Sequence, residues 1–191
     1  LCTGPGVGVT VGVAVAAGVF AMQAMTVRDD LTAAKSQLAG VLDQVRSGDA
    51  AGAEASVAKV TQLADRAEQT VSTPLWDFFS AVPVVGENVA AISAATDATH
   101  ILVTDALPVG LQLVQTIDVN NLTVEGGGFN LQPFVDAQAV LPQISGAFSK
   151  AQLAVSGIDR GQLLPVVNEA VGQLLDVIDQ AAPAVTMLDE Y

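Results

Sequence analysis

The sequence predicts an all-α protein: a single amino-terminal transmembrane helix continuing into an elongated bundle of four to five helices, with at most a minimal β-hairpin near 122–131. Three observations carry that expectation. No charged residue occurs from Leu1 to Val27, a run long enough to cross a bilayer. Beyond it, apolar residues recur at steps of three and four over most of the chain, the spacing of one helix face. Finally, 51% of the 191 residues are hydrophobic but only 4% are aromatic, so the apolar mass is largely Ala, Val and Leu, which fill thin helical seams better than broad sheets.

The first element reads two ways. In "VGVTVGVAVAAGVF", residues 7–20, valines alternate with Gly, Thr and Ala, and a period of two is the literal mark of a strand. The intervening residues are almost all small rather than polar, however, so neither face is suited to water. About 20 apolar residues at 1.5 Å each match the thickness of a bilayer core, and a helix over roughly 7–25 is the better reading. That helix sets Gly4, Gly8, Gly12 and Ala16 in one row at spacing four, a surface on which a second transmembrane helix packs closely. The row is a candidate contact for a second copy of the chain or for another membrane protein. A cleaved signal peptide is the competing reading, but its apolar region ordinarily spans about 7–15 residues and then breaks. This run is longer and passes into a helical pattern without a break. Leu1 is not a methionine, so the true start is expected upstream, and flanking basic residues do not set the orientation.

"VRDDLTAAKSQLAGVLDQVRSGD" places Val27, Leu31, Ala34, Leu38, Val41, Leu42 and Val45 on one stripe, an amphipathic helix continuous with the span. Gly48 suits a left-handed C-terminal position and Asp49 can cap the next helix. That helix, to about Val71, carries Ala53, Val57, Val60, Leu63, Ala64 and Ala67, and the two form an antiparallel hairpin. In "STPLWDFFSAVPVVGENVAAI" Thr73 is the expected cap, Pro74 the first helical residue and Pro83 the stop. Trp76, Phe78 and Phe79 gather three of the eight aromatic residues here, either as a plug closing the bundle or as a knob facing a partner. A helix restarts at Gly86 or Asn88, runs through Val89, Ile92, Ala95, Leu102 and Val103, bends or breaks at Pro108 and ends near Ile117.

"DVNNLTVEGGGFNLQPF" has no helical logic; 122–124 and 129–131 can pair as a minimal hairpin, marginal by itself. Pro133 opens a helix to about Ser156, and a last one runs from about Leu163 to Tyr191 with a kink expected at Pro183. The expected divisions are therefore a transmembrane anchor at 1–27 and a bundle at 28–191. Within the bundle, 28–71 is a helical hairpin, 73–118 an aromatic and Pro-rich turn with a helix, 119–132 an irregular loop and 133–191 a second hairpin.

Charge and reactive groups narrow the function. Seven Lys and Arg against twenty Asp and Glu leave a net charge of −13, which excludes nucleic acid as a partner. After His100 ten acids face Lys150 and Arg160, 10 − 2 = 8 net negative charges, so the second half is repelled by anionic lipid. One cysteine, Cys2, rules out an internal disulfide, and with one histidine it rules out an ordinary zinc site. His100 has no cysteine or serine motif to serve. The glycines at 126–128 lack the Lys-Ser/Thr of a phosphate loop, and the acid pairs Asp29/Asp30, Asp176/Asp179 and Asp189/Glu190 lack the alternating oxygens of a calcium loop. No catalytic, cofactor-binding or metal-binding residue is expected, and the chain reads as non-enzymatic.

The order of an apolar span, "RDDLTAAKSQL", a "GD" turn, "TPLWDFFSAVPVVGENVAAI", "DALP" and "NLQPF" resembles the start of an actinobacterial envelope family, domain-of-unknown-function family four thousand and twelve. Its most specific part is Thr73-Pro74-Leu75-Trp76 followed by Val82-Pro83-Val84-Val85-Gly86-Glu87-Asn88. The resemblance implies a single-pass plasma-membrane protein with residues from Arg28 onward outside the cytoplasm, and a larger second domain beginning about where Tyr191 lies. It carries no activity to any residue. The expected role is a stalk or protein-interaction module at the cell envelope, with an accessory subunit of a membrane complex, or a binding module for lipid or wall glycan, as alternatives.

Overall fold

A computed structural model describes residues 6–83, 85–116, 123–124, 128–129 and 132–189; within these, the side chains of 6–17, 42, 116, 123–124, 128–129, 132–134, 136–137, 177 and 180–189 lie outside the description. The fold is all-α. Helices α1 (Gly6–Ser47) and α2 (Ala50–Val71) are followed by the short α3 (Pro74–Ser80), α4 (Gly86–Ile101) and α5 (Leu107–Thr116), then α6 (Gln132–Val155) and α7 (Pro165–Asp189). Two two-residue strands, β1 (Thr123–Val124) and β2 (Gly128–Phe129), pair antiparallel with Thr123 opposite Phe129, so that Gly128, expected between the strands, belongs to the second.

α1 is one unbroken helix of 42 residues. It stops where the chain turns left-handed at Gly48, with φ +76°, a conformation that costs an L side chain about 1–2 kcal/mol. Asp49 then caps α2, its carboxylate accepting from the Gly52 N–H at 2.9 Å. Val27, Ala34 and Val41 of α1 are buried against Ala53, Val57, Val60, Ala64, Ala67 and Val71 of α2. Leu38, on the expected stripe, is instead 39% exposed.

Three layers of this seam set the topology. Val27 meets Ala67, Val71 and Val89; Ala34 meets Val60, Ala64 and Val103; Val41 meets Ala53, Val57 and Leu111. As α1 ascends, α2 descends and α4 to α5 ascends beside them. Across α4, Ala98 packs on Ala151 and Val155 of α6 and Ile178 of α7. α4 is thus the central helix, covered on both sides. This explains why its sequence shows a poor single stripe: a helix buried on opposite faces needs small apolar residues all round.

Three details differ from the sequence expectation. Thr73 precedes α3 but its hydroxyl donates backward to the Thr70 carbonyl at 2.9 Å, so it does not cap α3. α3 ends at Ser80, ahead of Pro83, and the chain turns so tightly that Gly86 sits against the Ser80 carbonyl. Pro108 does not break its helix. The preceding residues, Leu102–Ala106, form a π-helical segment in which the Leu107 N–H donates to the Leu102 carbonyl. The extra residue of that turn relieves the clash a proline ring makes with the carbonyl four residues back. With α4 and α5 joined in this way, the long rods among the described residues are α1, α2, α4 to α5, α6 and α7.

The α7 end is tied back to α4. Asn88, buried at the start of α4, accepts from the Leu164 N–H at 2.7 Å, and Arg160 Nε donates to Asn168 Oδ1 at 2.8 Å. The Gly86 turn gives a direct test: Gly86→Ala puts a Cβ into the Ser80 backbone, whereas Gly40→Ala, in α1 with open space around it, removes only unfolded-state entropy. Urea unfolding should show Gly86→Ala losing more than about 1 kcal/mol and Gly40→Ala gaining roughly 0.4–1 kcal/mol. Equal effects would contradict the turn described.

Candidate functional site

The strongest concentration of unusual side chains lies where α3 crosses α1. Pro74 starts α3 without a wasted N–H, and the helix is only long enough to present Trp76 inward and Phe78 outward. Trp76 is 1% exposed and packs with Val27, Ala67, Val71 and Val89. Its indole Nε1 donates to Gln23 Oε1 at 3.1 Å, which satisfies a donor that would otherwise be stranded in the core. Phe20 completes the junction, its ring 4.9 Å from Trp76 and 4.4 Å from Phe79, both tilted. Phe78 stands edge-on to Phe79 at 5.4 Å and is 58% exposed. The cluster therefore divides by residue: Trp76 is buried in the core and Phe78 is exposed.

Sequence reasoning missed Phe20 and Gln23. The signal was present, since they are the sole aromatic and the sole amide among residues 1–27. Because Phe20, Ala24, Val27 and Leu31 all pack into this cluster, the packing of the bundle reaches back at least to Phe20, ahead of the 27/28 division that charge alone draws. The opposite face of the same helical stretch is apolar and uncovered: Val19 is 44%, Met22 71% and Met25 65% exposed. Of the small-residue row, Gly8, Gly12 and Ala16 fall within α1 but their surroundings lie outside the described residues, and Gly4 lies outside them altogether. Among the described residues no helix is long and apolar enough to cross a membrane, and most of the expected span falls on the side chains left out.

A second grouping, of charged residues, bridges the helices. His100 Nε2 lies 2.9 Å from Asp65 Oδ1, a bond in which the ring N–H donates, and Lys150 Nζ donates to Asp105 Oδ2 at 3.1 Å. Asp97, one turn before His100, has its carboxyl pushed above the ordinary 3.8, first by desolvation, then by repulsion from Glu68, with His100 pulling the other way. Asp30, one of the acid pair Asp29/Asp30, is a third charged residue that bridges the helices. It is buried, Arg66 Nη2 reaches its Oδ1 at 3.1 Å, and its Oδ2 has no hydrogen-bond partner. Such a group costs desolvation that one ion pair only partly offsets.

An open cleft of about 370 Å³ lies between α4 and the end of α6, lined by Glu87, Ala91, Ala154, Ile158 and Asp159 among others. It holds two carboxylates and alanine walls, with no nucleophile beside a base. Among the described residues no three His, Cys, Asp or Glu side chains converge as a metal site would require. No protein-family model, curated protein or solved structure matches this chain.

Two measurements test this geometry. Trp76→Ala should lower unfolding stability by about 3–5 kcal/mol, while Phe78→Ala, already largely in solvent, should cost less than about 1 kcal/mol. Comparable losses would mean that Phe78 is as much a core residue as Trp76. For Asp97 the raised folded value means its stabilising contribution is present below 3.8 and lost as pH rises through the folded value. Asp97→Asn should then be more stable than the parent chain at neutral pH, with the gain shrinking as melts are taken toward pH 3.8. A gain that does not change with pH would assign it to something other than the carboxylate charge.

Proposed function

We propose that this chain is a non-enzymatic, single-pass membrane protein whose helical bundle serves as an extracytoplasmic stalk or protein-interaction module at the cell envelope. The observation that carries the reading is α1: the uncharged run and the amphipathic bundle helix belong to one continuous helix from Gly6 to Ser47. At about 1.5 Å per residue it is roughly 63 Å long, twice a bilayer core. A tethered domain joined by a flexible linker would be free to tumble, whereas a bundle that shares its first helix with its anchor is held at a set angle to the membrane. The long rods, the seams of Ala and Val and the scarcity of clustered reactive groups suit a spacer better than a catalyst.

The outward orientation rests on the resemblance to the actinobacterial envelope family. The carboxylate-rich second half suits a position away from anionic lipid. The full chain expressed in bacterial membranes should stay in the pellet after alkaline carbonate extraction. Val13→Asp combined with Ala16→Asp, each costing about 2.5–3.5 kcal/mol at a span centre, should release it. Recovery of the unaltered chain in the supernatant would overturn the anchored reading.

A further inference from the structure

We infer that α3 is an interfacial anchor, with Phe78 buried in the zwitterionic lipid at the membrane surface. This rests on the anchored reading of α1 and adds a lipid-binding surface to it. The argument is one of level. A bilayer core of about 30 Å takes about 20 residues of helix, so wherever it falls within the uncharged residues 1–27 it ends between Phe20 and Val27. Phe20 and Gln23 lie at that boundary, and they hold α3 by ring stacking on Trp76 and Phe79 and by the Trp76 hydrogen bond. α3 therefore cannot stand clear of the membrane unless α1 does. Phe is one of the side chains that helices lying in the interface bury at the boundary of headgroups and acyl chains.

The exposed surface agrees in chemistry. Val19, Met22, Met25 and Phe78 are 44%, 71%, 65% and 58% exposed, apolar, and carried by two elements locked to each other. Asp77, also exposed, is the charge on α3, and the chain as a whole is at −13, so anionic headgroups would oppose the contact and neutral ones would not. The occupant is thus a phosphatidylcholine-like interface reached by hydrophobic insertion, not by headgroup ion pairing.

The test uses the full chain reconstituted into phosphatidylcholine vesicles, with Cys2→Ser combined with Phe78→Cys, or with Ser47→Cys at the far end of α1, each labelled with an environment-sensitive fluorophore. The label at 78 should emit to the blue, lose about half its intensity to lipids brominated near the headgroup and resist aqueous iodide, while that at 47 shows the reverse. The native Trp76, the chain's one tryptophan, provides a label-free check by quenching from the same brominated lipid in the unaltered protein. A chain that floats with the vesicles while the label at 78 behaves like that at 47 and Trp76 is unquenched overturns the α3 contact and leaves the anchor standing. A chain that does not float with vesicles overturns both.

Discussion

The structure depends on how closely small side chains let the helix backbones approach. Ala53, Ala67, Ala98 and Ala151 are each fully buried at contacts between rods, and Ala34, Ala64 and Ala147 nearly so. Alanine brings no side-chain entropy to lose and little bulk, so burial there is a matter of many short backbone and methyl contacts rather than of large rings. Such a seam specifies register: a larger residue at one layer would push two rods apart along their length. Valines at 27, 41, 57, 60, 71 and 89 supply the volume between alanine positions, and the three layers on α1 follow from that alternation.

Against this uniform seam the aromatic junction works as a stop. Trp76 fills the end of the α1 and α2 groove, and its one polar atom must find a partner because water is excluded there. Gln23 supplies it from within an otherwise uncharged run, which ties the register of α3 to that of α1. The same end of the molecule leaves Phe78, Met22 and Met25 uncovered, so core and exposed apolar surface meet within two turns of helix. An apolar patch of this kind, on a helix that continues into a still more apolar segment, is the feature on which the proposed bilayer anchor rests.

Polar burial elsewhere is sparse and incompletely matched. Asp30 and Thr96 each keep an oxygen with no hydrogen-bond partner, at positions where α1 and α4 are otherwise apolar. Asp30 at least has Arg66, whose exposed stem lies on α2, so the pair crosses the hairpin. The second half is held to the first by α4 and by single bonds such as Asn88 to Leu164 and Lys150 to Asp105. Among the described residues the acids of that half, Asp105, Asp159, Glu169, Asp176 and Asp179, are exposed to solvent.

The all-α class, the unbroken passage from uncharged run to amphipathic helix, the Gly48 and Asp49 turn and the restart at Gly86 were legible in the residues. Each depends on local physics: a period of three and four, a left-handed glycine, a carboxylate able to reach a free N–H three residues on. What the sequence could not decide was which faces meet. α4 has no single stripe because two hairpins cover it, Phe20 and Gln23 belong to the bundle because Trp76 is there to receive them, and Thr73 turns its hydroxyl back to α2 rather than forward to α3. The first two are decisions between residues far apart in the chain, whereas the acceptor of Thr73 lies three residues back. Local pattern carries the propensity of a segment, but the partner of a buried surface exists only once the rods have packed, and only packing sorts Trp76 to the inside and Phe78 to the outside of one short helix.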